Sequence, residues 1–130
     1  MTGSLKFLAA SSLAITLATM PMALADGTAS LTGNWARDDG SVRMTVSPCG
    51  SNLCAVNTWV KDPNGSEKVG DRLVMTLQPE SGSKLQGEAY DVRRQAHYKM
   101  TIMLDGKTMQ TSGCVLLGIV CKSVGWTRMD

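Results

Sequence analysis

From Gly33 onward the side chains alternate between apolar and polar with a period of two, and a helical period is hard to find. Successive residues of a strand face opposite sides, so this alternation marks half-buried strands and restricts the chain to sheets with one covered face. Val42, Met44 and Val46 share one face; Ser41, Arg43 and Thr45 take the other. Val56, Thr58 and Val60 alternate with Ala55, Asn57 and Trp59, and Leu73, Met75 and Leu77 with Arg72, Val74 and Thr76. Leu85, Gly87 and Ala89 oppose Gln86, Glu88 and Tyr90. Tyr98, Met100, Ile102 and Leu104 oppose His97, Lys99, Thr101 and Met103. Shorter runs at 33–37, 108–113 and 123–128 open and close the series.

The punctuation between these runs fits hairpins. Asp105-Gly106 is a two-residue hairpin signal, and Asp39-Gly40, Asn64-Gly65 and Ser81-Gly82 mark further turns. The spacing predicts an all-β domain of about eight short antiparallel strands in up-and-down order. Eight such strands must hide their edges, and closure into a small β-barrel does so fully. Residues 62–71 (DPNGSEKVGD) form the longest polar loop.

The barrel does not use the whole chain. Residues 1–25 carry one charge, Lys6, then an apolar run from Phe7 to Leu17, a helix-breaking Pro21, and a small-x-small Ala23-Leu24-Ala25. That is the layout of a cleavable signal peptide, and the run is short for a membrane span. The expected mature domain is 26–130, with 12 basic and 11 acidic residues after the loss of Lys6 from 13. It has no second long apolar run, hence no expected transmembrane segment, and the expected address is the periplasm or the outside of the cell. A charge so near balance argues against a nucleic-acid partner. A hydrophobic content of 43% excludes global disorder.

Cys49, Cys54, Cys114 and Cys121 fall in two local pairs. In an exported protein an even count means disulfides first, and four cysteines allow three connectivities. The favoured pairing is Cys49–Cys54 and Cys114–Cys121, because each pair brackets a hairpin loop. A four-thiolate zinc site would want closer spacing and free thiols, and neither pair is the C-x-x-C of redox enzymes. No metal and no cofactor is expected.

Catalytic signals are thin. His97 is the one imidazole and lies opposite Tyr98, Met100 and Ile102, on the surface face. Asp38, Asp39, Glu88, Asp91 and Asp105 sit mostly in or beside turns, where turn chemistry accounts for them. Phosphate-loop, H-E-x-x-H and G-x-S-x-G motifs are absent. The expectation is a binding protein, not an enzyme. Its lining would come from Val42, Met44, Val46, Val56, Leu73, Met75, Leu77, Tyr98, Met100 and Ile102, around a small apolar or amphipathic ligand. The same side chains could equally fill a solid core. Strands of five to six residues, the length expected here, would leave little room inside. The alternative function is then a structural or interaction module of the envelope. Its contact would be residues 115–120, an apolar run between two cysteines that reads as a partner or dimer contact, a portal flap, a membrane-surface touch or a lid. Trp59, out of phase with its neighbours, flanks a pocket mouth or covers barrel exterior.

Gly33-x-Trp35 at the start of the first strand and Trp126-Thr127-Arg128 in the last resemble the lipocalin and wider calycin pattern. That resemblance implies that Trp35 closes one barrel end and Arg128 lies across its indole, as a cation–π pair would. The chain from Gly33 to Arg128 is also similar to a bacterial family, domain-of-unknown-function family 2147, whose members are small exported proteins with a lipocalin-like barrel. Gly33-Asn34-Trp35, Asp39-Gly40, Pro48-Cys49-Gly50 with Leu53-Cys54, Gly87-Glu88-Ala89-Tyr90-Asp91, Tyr98, Gly113-Cys114 and the terminal Trp126-Thr127-Arg128 carry the likeness. One departure stands out. The family usually places a proline and a glycine between the two tyrosines, where this chain has Val92-Arg93-Arg94-Gln95-Ala96-His97. The resemblance implies a fold and an exported address; it implies no catalytic activity.

Overall fold

The computed structural model describes residues 2–4, 9–16 and 26–130. Most of the expected leader, 1–25, lies outside the described residues. A single helical turn, α1 (Asp26–Ala29), precedes eight strands: β1 (Gly33–Arg37), β2 (Val42–Cys49), β3 (Asn52–Val60), β4 (Arg72–Ser81), β5 (Lys84–Asp91), β6 (Ala96–Asp105), β7 (Thr108–Val115) and β8 (Val120–Arg128). Each strand pairs antiparallel with the next, and β1 pairs with β8 through Trp35 and Arg128, so the sheet closes on itself. The fold is an all-β, up-and-down, eight-stranded barrel.

The alternation assigns the two faces. Trp35, Val42, Met44, Val46, Leu53, Ala55, Met75, Leu85, Ala89, Met100, Ile102, Met109 and Trp126, joined by Leu31, form one buried cluster inside the barrel. Arg43, Thr76, Gln78, Gln86, Glu88, Lys99 and Gln110 are exposed outside. A polar exterior around an apolar interior is the reverse of a lipid-facing barrel. Among the described residues every strand and the whole buried cluster fall within 26–130, so the sheet closes within that segment.

Two expectations need correction. Apart from β1 the strands run to eight residues or more, not five or six. The longer strands give the barrel more depth than a filled core of this chain was expected to leave. Val56 does not face the interior: it pairs with Thr45, whereas Ala55 pairs with the inward Val46. The cause is a bulge. Met44 opposes Asn57 and Arg43 opposes Trp59, which leaves Thr58 as the extra residue and shifts the phase within β3. Leu53, Ala55 and Asn57 therefore face in before the bulge and Val60 after it. Trp59 is thrown outside, with the Arg43 guanidinium 5.0 Å from its ring centroid.

Candidate functional site

The two ends of the barrel are built differently. At one end the turns β2–β3, β4–β5 and β6–β7 meet the chain leading into β1. Trp35 is fully buried there, and its Nε1 donates to the Leu31 carbonyl at 2.9 Å. The Arg128 guanidinium lies 4.3 Å from the Trp35 ring centroid and donates to the carbonyls of Thr32 and Ser30. Gly33 is needed because its φ is +139° and a Cβ would stand 2.5 Å from Arg128 Nη1. The Cys49–Cys54 bridge staples the β2–β3 turn at this end. Bulky side chains fill it, leaving a void of about 40 Å³ among Leu31, Met75, Ile102 and Met109.

At the other end small residues take the inward positions: Ala55, Ala89 and Gly113. With no bulk on those three strands the barrel stays open, and a cavity of about 390 Å³ results. Its floor is Met44, Leu73, Met100, Tyr98 and Trp126. Trp126 Nε1 donates to Thr111 Oγ1 at 3.0 Å, so the polar edge of the indole is satisfied. Its rim is charged: Arg37, Glu67, Asp71, Asp91, Arg94 and Lys122.

The rim is ordered by ion pairs. Arg93 grips Asp71 with two donors, Nη2 at 3.0 Å being one. Arg94 Nη1 meets Asp91 Oδ2 at 2.7 Å, and the Asp91 carboxylate also accepts from the Arg94 backbone N–H at 3.0 Å. Both arginines donate to the Ser66 carbonyl at 2.6 Å. The β5–β6 turn thereby holds the 61–71 loop over one side of the mouth. The Arg93 hydrogen bond holds the Asp71 carboxyl below its ordinary range, against the opposing effect of burial. Asn57 continues the strap, its Nδ2 donating to Glu67 Oε2 at 3.1 Å. Gln95 closes the turn at φ +51°, a left-handed conformation that favours glycine.

The sequence-predicted lining divides accordingly. Val42, Met44, Leu73, Tyr98 and Met100 line the mouth cavity. Val46, Met75 and Ile102 border only the small inner void, and Leu77 packs on the core without reaching either space. Val56 is outside. Sequence reasoning missed the charged rim, Trp126 as floor, and the small residues that create the space. His97 is exposed and stacks on Tyr90 at 4.7 Å between centroids, away from the cavity. Among the described residues no three His, Cys, Asp or Glu side chains gather as a metal site requires. No helix among them is long and apolar enough to cross a membrane.

At the mouth end the second bridge joins Cys114 to Cys121, directly opposed residues of β7 and β8. The strands run further into the bracketed segment than the alternation indicated, leaving a turn of 116–119 beyond the bridge.

Three comparisons bear on this architecture. The sequence model of a bacterial family described as "Uncharacterized protein conserved in bacteria (DUF2147)" matches residues 33–128. The structure of a redesigned β-barrel superposes with a TM-score of 0.50 at 13% identity, covering 80% of this chain and 95% of that one. At that identity the likeness concerns the fold alone. No curated protein matches the chain.

Proposed function

This chain belongs to the bacterial family DUF2147, and we propose that its barrel binds a small amphipathic molecule, head outward, in the mouth cavity. The observation that carries the reading is the gradient within one 390 Å³ space, from a charged rim to a floor of Met44, Met100 and Trp126. That volume lies within the range of ligand pockets, about 300–1,000 Å³. Methionines give the floor a surface that re-packs around different apolar bodies. The head is anionic in this reading. Arg37, Arg93 and Arg94 are engaged with carboxylates, whereas Lys122 faces the cavity with no carboxylate in ion-pair range among the described residues. The rim acids Asp71 and Asp91 are held by Arg93 and Arg94. The two bridges support an oxidising, exported address, as the expected leader does.

The test uses residues 26–130 and a dansyl-labelled medium-chain fatty acid. Saturable one-to-one binding is expected, displaced by the unlabelled acid and poorly by the matching alkylamine. Gly113→Phe should abolish it without lowering the melting temperature, because a Cβ at Gly113 meets nothing within 4 Å and the ring would grow into the cavity. Lys122→Ala should weaken it about tenfold. Absence of saturable binding, or binding unchanged in Gly113→Phe, would overturn the reading.

A further inference from the structure

The β7–β8 tip is the most apolar exposed feature of the described barrel. Leu116, Leu117 and Ile119 are 70%, 91% and 81% exposed, and Val115 and Val120 beside them are exposed as well. None of the five belongs to the core cluster, so the tip is not a lid on the barrel. It overhangs the rim: β8 begins at Val120, while its pairing with β1 reaches only Arg37–Trp126, extended by the Asp38 N–H to Gly125 carbonyl bond. The Cys114–Cys121 bridge fixes the base of the overhang. Leu116 and Leu117 stand at φ +51° and +59°, a left-handed conformation that leucine rarely adopts, with Gly118 following at +85°. A solvent-facing turn would be better served by asparagine or glycine at both positions.

At its base the hairpin and the facing stretch of β6 carry lysines and no acid, while Asp39 of the adjoining β1–β2 turn is near enough to Lys122 to feel its charge. Lys99 opposes Cys114 and Lys122 opposes Gly113, and the Lys99 side chain passes 4.0 Å from the Cβ position of Gly118. No acidic residue occurs from Gly106 to Met129. Asp38 and Asp39, the acids of the neighbouring turn, are bonded to Thr127 and to Ser41. A few apolar side chains on a narrow convex hairpin cannot supply the roughly 800 Å² per partner of a stable protein interface. Apolar side chains collared by lysines instead match the layers of a bilayer surface, acyl chains beneath anionic headgroups.

We propose that the β7–β8 tip inserts Leu116, Leu117 and Ile119 into the surface of an anionic lipid bilayer, with Lys99 and Lys122 on the headgroups. The cavity opens at the same end of the barrel, so docking brings its mouth toward the membrane. The proposal goes beyond the cavity reading and does not depend on it, since a tip can dock with the barrel empty.

Residues 26–130 should float with phosphatidylethanolamine–phosphatidylglycerol vesicles at low salt, and far less with pure phosphatidylcholine. Leu116→Asn with Leu117→Asn should cut partitioning about tenfold or more while keeping the melting temperature, since asparagine accepts the left-handed backbone. Lys99→Ala with Lys122→Ala should remove the preference for anionic lipid. Should the asparagine variant lose its fold, the single Leu117→Asn reads the same loss at the most exposed position. No flotation, flotation unchanged by the asparagines, or a solution dimer that they dissolve would overturn the proposal. Fatty-acid binding in vesicle-free solution is read separately, so either reading can fail alone.

Discussion

Arg128 stacks on Trp35 at 4.3 Å and, from the same guanidinium, holds the carbonyls of Thr32 and Ser30. One side chain thus joins the last strand, the first strand and the chain that plugs the closed end. Arg128→Ala should lower stability by about 2 kcal/mol, from lost stacking and two charge-assisted bonds. Arg128→Lys should recover little, because an ammonium lacks the planar fork that stacks and donates together. Denaturant melts of the three proteins check this, and equal midpoints would show that the stack contributes nothing.

The strap over the mouth responds to acid. The folded Asp71 carboxyl is held below its unfolded value, chiefly by the Arg93 hydrogen bond. A lowered pKa means stability that is present above the unfolded value of about 3.9 and lost as pH falls through the folded one. Wild type should therefore exceed Asp71→Asn in stability at neutral pH, with the gap closing as pH falls below the unfolded value and through the folded one. Amide exchange in 62–71 should accelerate over the same interval. A gap that persists in acid would mean that the carboxylate charge is not what holds the loop.

Most of the barrel was legible because its strands are half-buried, and a half-buried strand prints its geometry as alternation. The closure of Trp35 on Arg128 was legible from the resemblance. Val56 was misplaced for a definite reason: Ala55 and Val56 are both apolar, so pattern alone cannot phase that stretch, and the bulge at Thr58 carries no marker in the sequence. The cavity was illegible in another way. It arises where side chains are small, at Ala55, Ala89 and Gly113, and a search for bulky apolar lining looks past them. Its charged rim comes from the 61–71 loop, the β5–β6 turn and the strands β1, β5 and β8, which only the closed sheet brings together.

The tip bridge should act locally. It closes a short loop between opposed residues of one hairpin, so its removal should cost about 2 kcal/mol or less. Cys114→Ser with Cys121→Ser should leave the barrel folded and melting cooperatively, with faster amide exchange confined to 115–120. The Cys49–Cys54 bridge, at the filled end, should be felt more widely, because Leu53 beside it belongs to the core cluster. Exchange mapped by mass spectrometry separates the two, and global loosening from the tip variant would refute the local role.

Gly87 and Gly113 are both strand glycines, and the barrel makes opposite demands on them. Gly87 opposes Leu77, where β4 and β5 approach so closely that a Cβ would collide with the Thr76 carbonyl. Backbone cannot step aside as a flexible side chain can, so Gly87→Ala should cost about 3 kcal/mol or prevent folding. At Gly113 the same methyl enters empty space, and removing a glycine from a strand interior gains about 0.5–1 kcal/mol. Gly113→Ala should therefore melt no lower than wild type. Side-by-side thermal melts of the two alanine variants decide the point, and equal destabilisation would show that the mouth is not open at Gly113.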